Sequence, residues 1–152
     1  SIICTTERKI HMKCRVLVLG HGTLPEDILR PANMIYGEVE GIIHINFPEG
    51  QDMESYRASI DEVIRMNCKE GILVIADLFK GSPFLVASSV MKDYWGDNVE
   101  LITGLSLPMI LQVCNDIEDT SLDELKKNAL SVSRESIIDF RETMNNMRRE
   151  HK

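Results

Sequence analysis

From Cys14 onward the chain alternates short apolar runs with longer amphipathic stretches. Val16, Leu17, Val18 and Leu19 form an apolar, partly β-branched run that Gly20 and Gly22 break, which predicts a buried strand ending in a tight turn. Pro25, with Glu26 and Asp27 behind it, then opens a helix, because proline suits a first turn and acids favour the positive end of the helix dipole. Ile28, Leu29, Ala32, Ile35 and Tyr36 recur at helical spacing, and Gly37 stops them. A second strand covers 41–47 and turns at Pro48, Glu49 and Gly50. Met53, Tyr56, Ile60, Val63 and Ile64 mark a second helix that ends near Asn67. The third strand, 71–76, is continuously apolar and therefore central, with Asp77 at its end. A loop over 78–83 leads to a third helix over 84–92, and a fourth strand covers 99–103. Pro108 opens a short helix through Cys114. Ser121, followed three residues later by Glu124, makes a capping box for a last long helix over 122–147.

Strands alternating with helices imply parallel pairing and right-handed crossovers. The expected fold class is α/β: a single doubly wound domain, with a four-stranded parallel sheet and helices on both faces. A short extra antiparallel edge strand near 116–120 is admitted, although the local sequence hardly supports it. Residues 1–11 are polar, carry Glu7, Arg8 and Lys9, and lack the apolar region of a signal peptide, so they are expected to be an N-terminal extension outside the fold. The domain is expected over 12–147 and a C-terminal tail over 148–152. No run of about 18 apolar residues suggests a membrane-spanning helix.

Composition narrows the function. The 152 residues carry a formal net charge of -7, which argues against a nucleic-acid binder. A hydrophobic fraction of 43% argues against disorder. Cys4, Cys14, Cys68 and Cys114 show no C-x-x-C spacing and do not cluster with His11, His21, His44 or His151, so no metal site is read and reduced thiols are expected.

In open parallel α/β sheets, ligands bind beyond the carboxyl ends of the strands. The first strand ends at His21, and the third at Asp77. In the simple topology those strands are neighbours at the switch point, so His21 and Asp77 face one crevice. A carboxylate bonded to one ring nitrogen fixes the imidazole tautomer and leaves the other nitrogen as a nucleophile. Gly22 lets a bulky group approach, and Ser82 adds a hydroxyl at a helix start whose amides suit an anion. The set suits a phosphoryl group resting on His21. The bland alternatives are a loop histidine, a helix-capping Asp77 and an ordinary turn at Gly81, Ser82 and Pro83. His44, inside a strand, is read as structural. The acids at 116, 118, 119, 123 and 124 are read as a solvated face. No P-loop, dinucleotide fingerprint or hydrolase elbow is present.

The residues 18–22 (VLGHG), 47–50 (FPEG), 75–77 (IAD) with 81–84 (GSPF), 104–109 (GLSLPM) and 121–125 (SLDEL) stand in one order and spacing. In these pieces the sequence resembles the mannose-type IIA component of the bacterial phosphoenolpyruvate-dependent sugar phosphotransferase system, over roughly 14–140. The resemblance implies that His21 takes a phosphoryl group from the phosphocarrier protein HPr and hands it to a histidine on a IIB component. It implies that Asp77 orients His21, and that Ser82, Gly22, Thr23 and Gly81 surround the phosphate. It further implies a cytoplasmic homodimer that meets the membrane components IIC and IID only indirectly, with no metal or other cofactor. Gly20 stands where several members carry Thr or Ser, and Lys80 where glycine is often found. Two other readings use the same chain: a regulatory or dihydroxyacetone-kinase phosphotransfer domain, and a flavodoxin-like binding module without enzymatic activity. Only 5% of the residues are aromatic, which offers little for flavin stacking.

Overall fold

The computed structural model describes residues 15–151, so the expected extension 1–11, the expected domain start at 12–14 and Lys152 lie outside the described residues. Four strands, β1 (Arg15–His21), β2 (Ile42–Phe47), β3 (Ile72–Ala76) and β4 (Val99–Thr103), form one all-parallel sheet in the order β2-β1-β3-β4. The two inner strands are the two most continuously apolar runs, as a sheet covered on both faces requires.

Side chains along each strand alternate between faces. Val16, Val18, Leu73 and Ile75 join one core, under α1 (Leu24–Tyr36), α4 (Leu107–Asp116) and α5 (Leu122–Glu135). Leu17, Leu19, Ile72 and Val74 join the other, under α2 (Met53–Asn67) and α3 (Ser82–Met91). Each such side chain taken fully out of water contributes about 1.5–3 kcal/mol. The helix faces supply the matching surfaces: Ala32, Ile110, Val113, Leu125 and Ala129 on one side, Tyr56, Ile60, Ile64, Ala87 and Val90 on the other.

The helices start where their caps are. Asp52 accepts the Ser55 N–H at 2.9 Å and the Ser55 hydroxyl at 2.8 Å at the head of α2; the backbone bond above all holds this carboxyl below its usual range. Ser106 caps α4 from the Met109 N–H, and Ser121 caps α5 from the Glu124 N–H at 3.3 Å.

Four expectations change. The last long helix is two: α5 ends at Glu135, and α6 (Phe140–Glu150) starts afresh with Asp139 accepting the Glu142 N–H at 3.1 Å. No strand forms over 116–120. The Ile117 N–H bonds the Val113 carbonyl, and the N–H groups of Asp119 and Thr120 both bond Asp116, so the segment closes α4 as a turn. Asp116 itself is no solvated bystander, since its carboxylate accepts Gln112 at 2.8 Å and Asn128 at 3.0 Å and ties α4 to α5. His44 is exposed on edge strand β2 rather than packed. Cys68 and Cys114 are free thiols, whereas Cys4 and Cys14 lie outside the described residues.

Candidate active site

His21 closes β1, and Asp77 is the first residue beyond β3. Because β1 and β3 are paired, the ladder continues one step past the strands: the Asp77 N–H donates to the Leu19 carbonyl at 3.1 Å. This brings two residues 56 positions apart into contact. The Asp77 carboxylate accepts the His21 backbone N–H at 2.9 Å, and His21 Nδ1 lies 3.0 Å from Oδ2 and 3.3 Å from Oδ1. With Nδ1 donating to the carboxylate, the neutral imidazole keeps its lone pair on Nε2. The His21 side chain is 47% exposed and that of Asp77 11%, so the imidazole meets solvent while the carboxylate behind it is largely covered.

Glycine makes this packing possible at two points. A Cβ on Gly20 would sit 3.1 Å from Asp77 Cγ. A Cβ on Gly81 would sit 2.8 Å from His21 Cε1, which no real side chain tolerates unless the ring moves. A side chain at Gly20 would need Asp77 to give by a few tenths of an ångström, whereas Gly81 is what lets the following loop close on the imidazole.

The other expected residues are nearby in different states. Gly22, at φ 59°, is tied to Phe47 in both directions, donating its N–H at 2.8 Å and accepting at 3.0 Å. The Gly81 N–H donates to the Leu78 carbonyl at 3.1 Å. The amides of these two glycines are thus already committed, and what they offer is space. Thr23 caps nothing: its hydroxyl donates to Asp27 Oδ2 at 2.7 Å and must rotate away before it can serve a phosphate. Ser82 is the first residue of α3, whose opening turn leaves backbone N–H groups without intrahelical partners, at the positive end of the helix dipole.

Two aromatic residues belong to the site and escape a sequence reading. Phe47 meets the His21 ring edge-on, with centroids 6.1 Å apart, and Tyr56 lies behind it at 4.6 Å. Phe47 ends the expected second strand and stands in the 47–50 motif, and Tyr56 looks like any other helix-face residue, so neither is marked out as a site residue by sequence. With Gly22, Pro48, Glu49, Gly50 and Gln51, Phe47 lines a cleft of about 430 Å³ at His21, and Tyr56 packs behind it. A larger depression of about 620 Å³, around Arg15, Glu38 and Gly41, lies at the opposite ends of β1 and β2 and contains none of these residues.

Comparison with known proteins gives a consistent result. Residues 15–130 match a family model described as the fructose IIA component of the phosphotransferase system. Over 132 residues the chain is 30% identical to the mannose-specific EIIAB component of Escherichia coli K12, covering 83% of this chain and 39% of that protein. It is 25% identical to the fructose-specific EIIA component of Bacillus subtilis, covering 80% of this chain and 82% of the relative. The crystal structure of phosphotransferase component EIIA from Streptococcus agalactiae superposes with a TM-score of 0.77 at 27% identity, over 84% of this chain and 97% of that one. The chain spans about two fifths of the length of the first curated relatives it matches.

Proposed function

Because the chain belongs to the mannose-type IIA family of sugar phosphotransferase systems, we propose that His21 accepts a phosphoryl group from the phosphocarrier protein HPr and donates it to a histidine of a IIB component. The observation that supports this most directly is the Nδ1 to Asp77 contact at 3.0 Å, which frees Nε2 on an exposed ring. In the first transfer the Nε2 lone pair attacks phosphorus. The P–N bond of the donor phosphohistidine breaks, and its ring nitrogen leaves with the electron pair. The proton on His21 Nδ1 stays against Asp77, whose negative charge stabilises the imidazole as it becomes electron-poor. The second transfer repeats these events with His21 as the leaving group. Catalysis in such an exchange is alignment and charge placement. In this reading the α3 amides and Ser82, at the head of that helix, would receive the phosphoryl oxygens, and Gly81 would leave them room.

A regulatory role would use the same His21 and differ only in the acceptor. No helix of the described residues is long and apolar enough to cross a membrane. The chain is proposed to work in the cytoplasm, with IIC and IID reached through IIB, and to carry its phosphotransfer domain over 12–147. It is further proposed to pair as a homodimer.

Incubation with phosphorylated HPr should add about 80 Da, the mass of one phosphoryl group, as an acid-labile adduct. That adduct is expected to vanish in His21→Ala. An unchanged mass for the unsubstituted protein, read by intact mass spectrometry, overturns the proposal.

A further inference from the structure

The four loops that follow the strands occupy 22–23, 48–52, 77–81 and 104–106. Their acidic side chains are Glu49, Asp52 and Asp77, and their single Lys or Arg is Lys80. Asp77 touches His21, and Glu49 lines the same cleft. A phosphoryl dianion on His21 would therefore enter a negative neighbourhood, which like-charge repulsion opposes.

Lys80 carries a second anomaly. It is the one non-glycine among the described residues with a positive φ, at 68°. Glycine adopts that conformation freely, whereas a side chain there is strained, so the backbone alone gives no reason for lysine. Its neighbour Gly81 places a virtual Cβ 2.8 Å from His21 Cε1, which puts the Lys80 Cα within about 8 Å of the imidazole. The flexible four-carbon stem covers most of that distance. The ammonium now rests over the exposed Phe79 ring, 5.4 Å from its centroid, and makes no salt bridge among the described residues. A cation over an exposed ring is held weakly and can leave it at little cost.

We propose that Lys80 binds the transferred group: its ammonium leaves Phe79 and pairs with a phosphoryl oxygen on His21 Nε2, stabilising the phosphohistidine against the surrounding carboxylates. This rests on the reading of His21 as the phosphoryl acceptor. The test avoids dependence on any protein donor, because phosphoramidate phosphorylates accessible histidines chemically. The His21 signal in the ³¹P spectrum is identified by its absence in His21→Ala. Its pH titration and its rate of hydrolysis at neutral pH are then compared among the unsubstituted protein, Lys80→Gln, Lys80→Gly and Lys80→Arg.

Removing the cation should raise the apparent pKa of the phosphohistidine in Lys80→Gln and Lys80→Gly by at least about half a unit, roughly threefold in the ionisation constant, with faster hydrolysis. Lys80→Arg should stay close to the unsubstituted protein. Lys80→Gly also relieves the backbone, so a weaker phosphohistidine on a protein that melts no lower separates charge from folding. Unchanged titrations in both Lys80→Gln and Lys80→Gly overturn the proposal. If HPr fails to phosphorylate the protein while the chemically made phosphohistidine depends on Lys80 as expected, the HPr route falls and the role of Lys80 stands. Failure of phosphoramidate to modify the half-exposed His21 overturns both.

Discussion

Tyr56 is 1% exposed, and its hydroxyl has no hydrogen-bond partner among the described residues. A buried orphan hydroxyl is unusual, because desolvation without a bond costs about 1–3 kcal/mol. Burial first, and the negative charge of Asp77 second, push this phenol well above the usual tyrosine range. The linkage has a definite sign. Below about pH 10 both folded and unfolded chains keep the proton, whereas above it the unfolded chain releases the proton and the folded one holds it. This contribution to stability is therefore present at neutral pH and is lost as pH rises. Tyr56→Phe should keep or raise the neutral-pH melting temperature and flatten the alkaline decline, measured by thermal melts from pH 7 to 11. A lower melting temperature with the same alkaline slope would contradict this account. The helical spacing of Tyr56, Ile60 and Ile64 discloses the buried face but not where a phenol tip ends. That depends on Phe47 and Asp77, which arrive from two other elements.

The segment between β3 and α3 is an element in its own right. Within six residues it supplies the anchoring carboxylate of Asp77, the strained Lys80, the space at Gly81 and the head of α3 at Ser82. Gly81→Ala should push the imidazole from Asp77 and lower the phosphoryl-transfer rate about tenfold or more, since small misplacements are costly in such reactions. Its melting temperature should stay near that of the unsubstituted protein, because the loop is at the surface; equal transfer rates would show that the ring does not depend on this contact. Elements differed in how plainly the sequence announced them. β1 and β3 were legible because a sheet covered on both faces demands continuous apolar runs. The break between α5 and α6 was hidden, because the residues around it still satisfy a helical pattern. The signal that could have found it is Asp139 with Glu142 three residues on, a second N-cap after Ser136, Ile137 and Ile138. The turn at 117–120 depends on carbonyl bonds to Asp116 that no local pattern displays.

At the scale of the whole molecule, one end of the chain stands apart from the two cores. No residue of α6 is buried, and Ile137, Ile138 and Phe140 are 86%, 63% and 77% exposed. Met144 and Met147 extend the same apolar surface. Such a face is a reason for the chain to pair with a second copy. Light scattering should return twice the chain mass, and a chain with Phe140→Glu and Met144→Glu should return the single mass. A monomer in the unsubstituted protein would remove the dimer from the proposed function. The sequence could not give this, because periodicity shows that a face is apolar and not what covers it.

The pairing of β1 with β3 has one more consequence. Neither strand carries a reactive site alone: His21 comes from one, Asp77 from the other, and the bond from the Asp77 N–H to Leu19 joins them. The site is assembled by a contact between distant parts of the chain, and not within either βα unit alone. A chain with an unfinished sheet leaves His21 without its carboxylate and, on the proposed function, would be a poor acceptor. On the proposed function, uptake of the phosphoryl group would double as a report on folding, and hydrogen exchange at the Asp77 amide would follow the same event without any phosphate present.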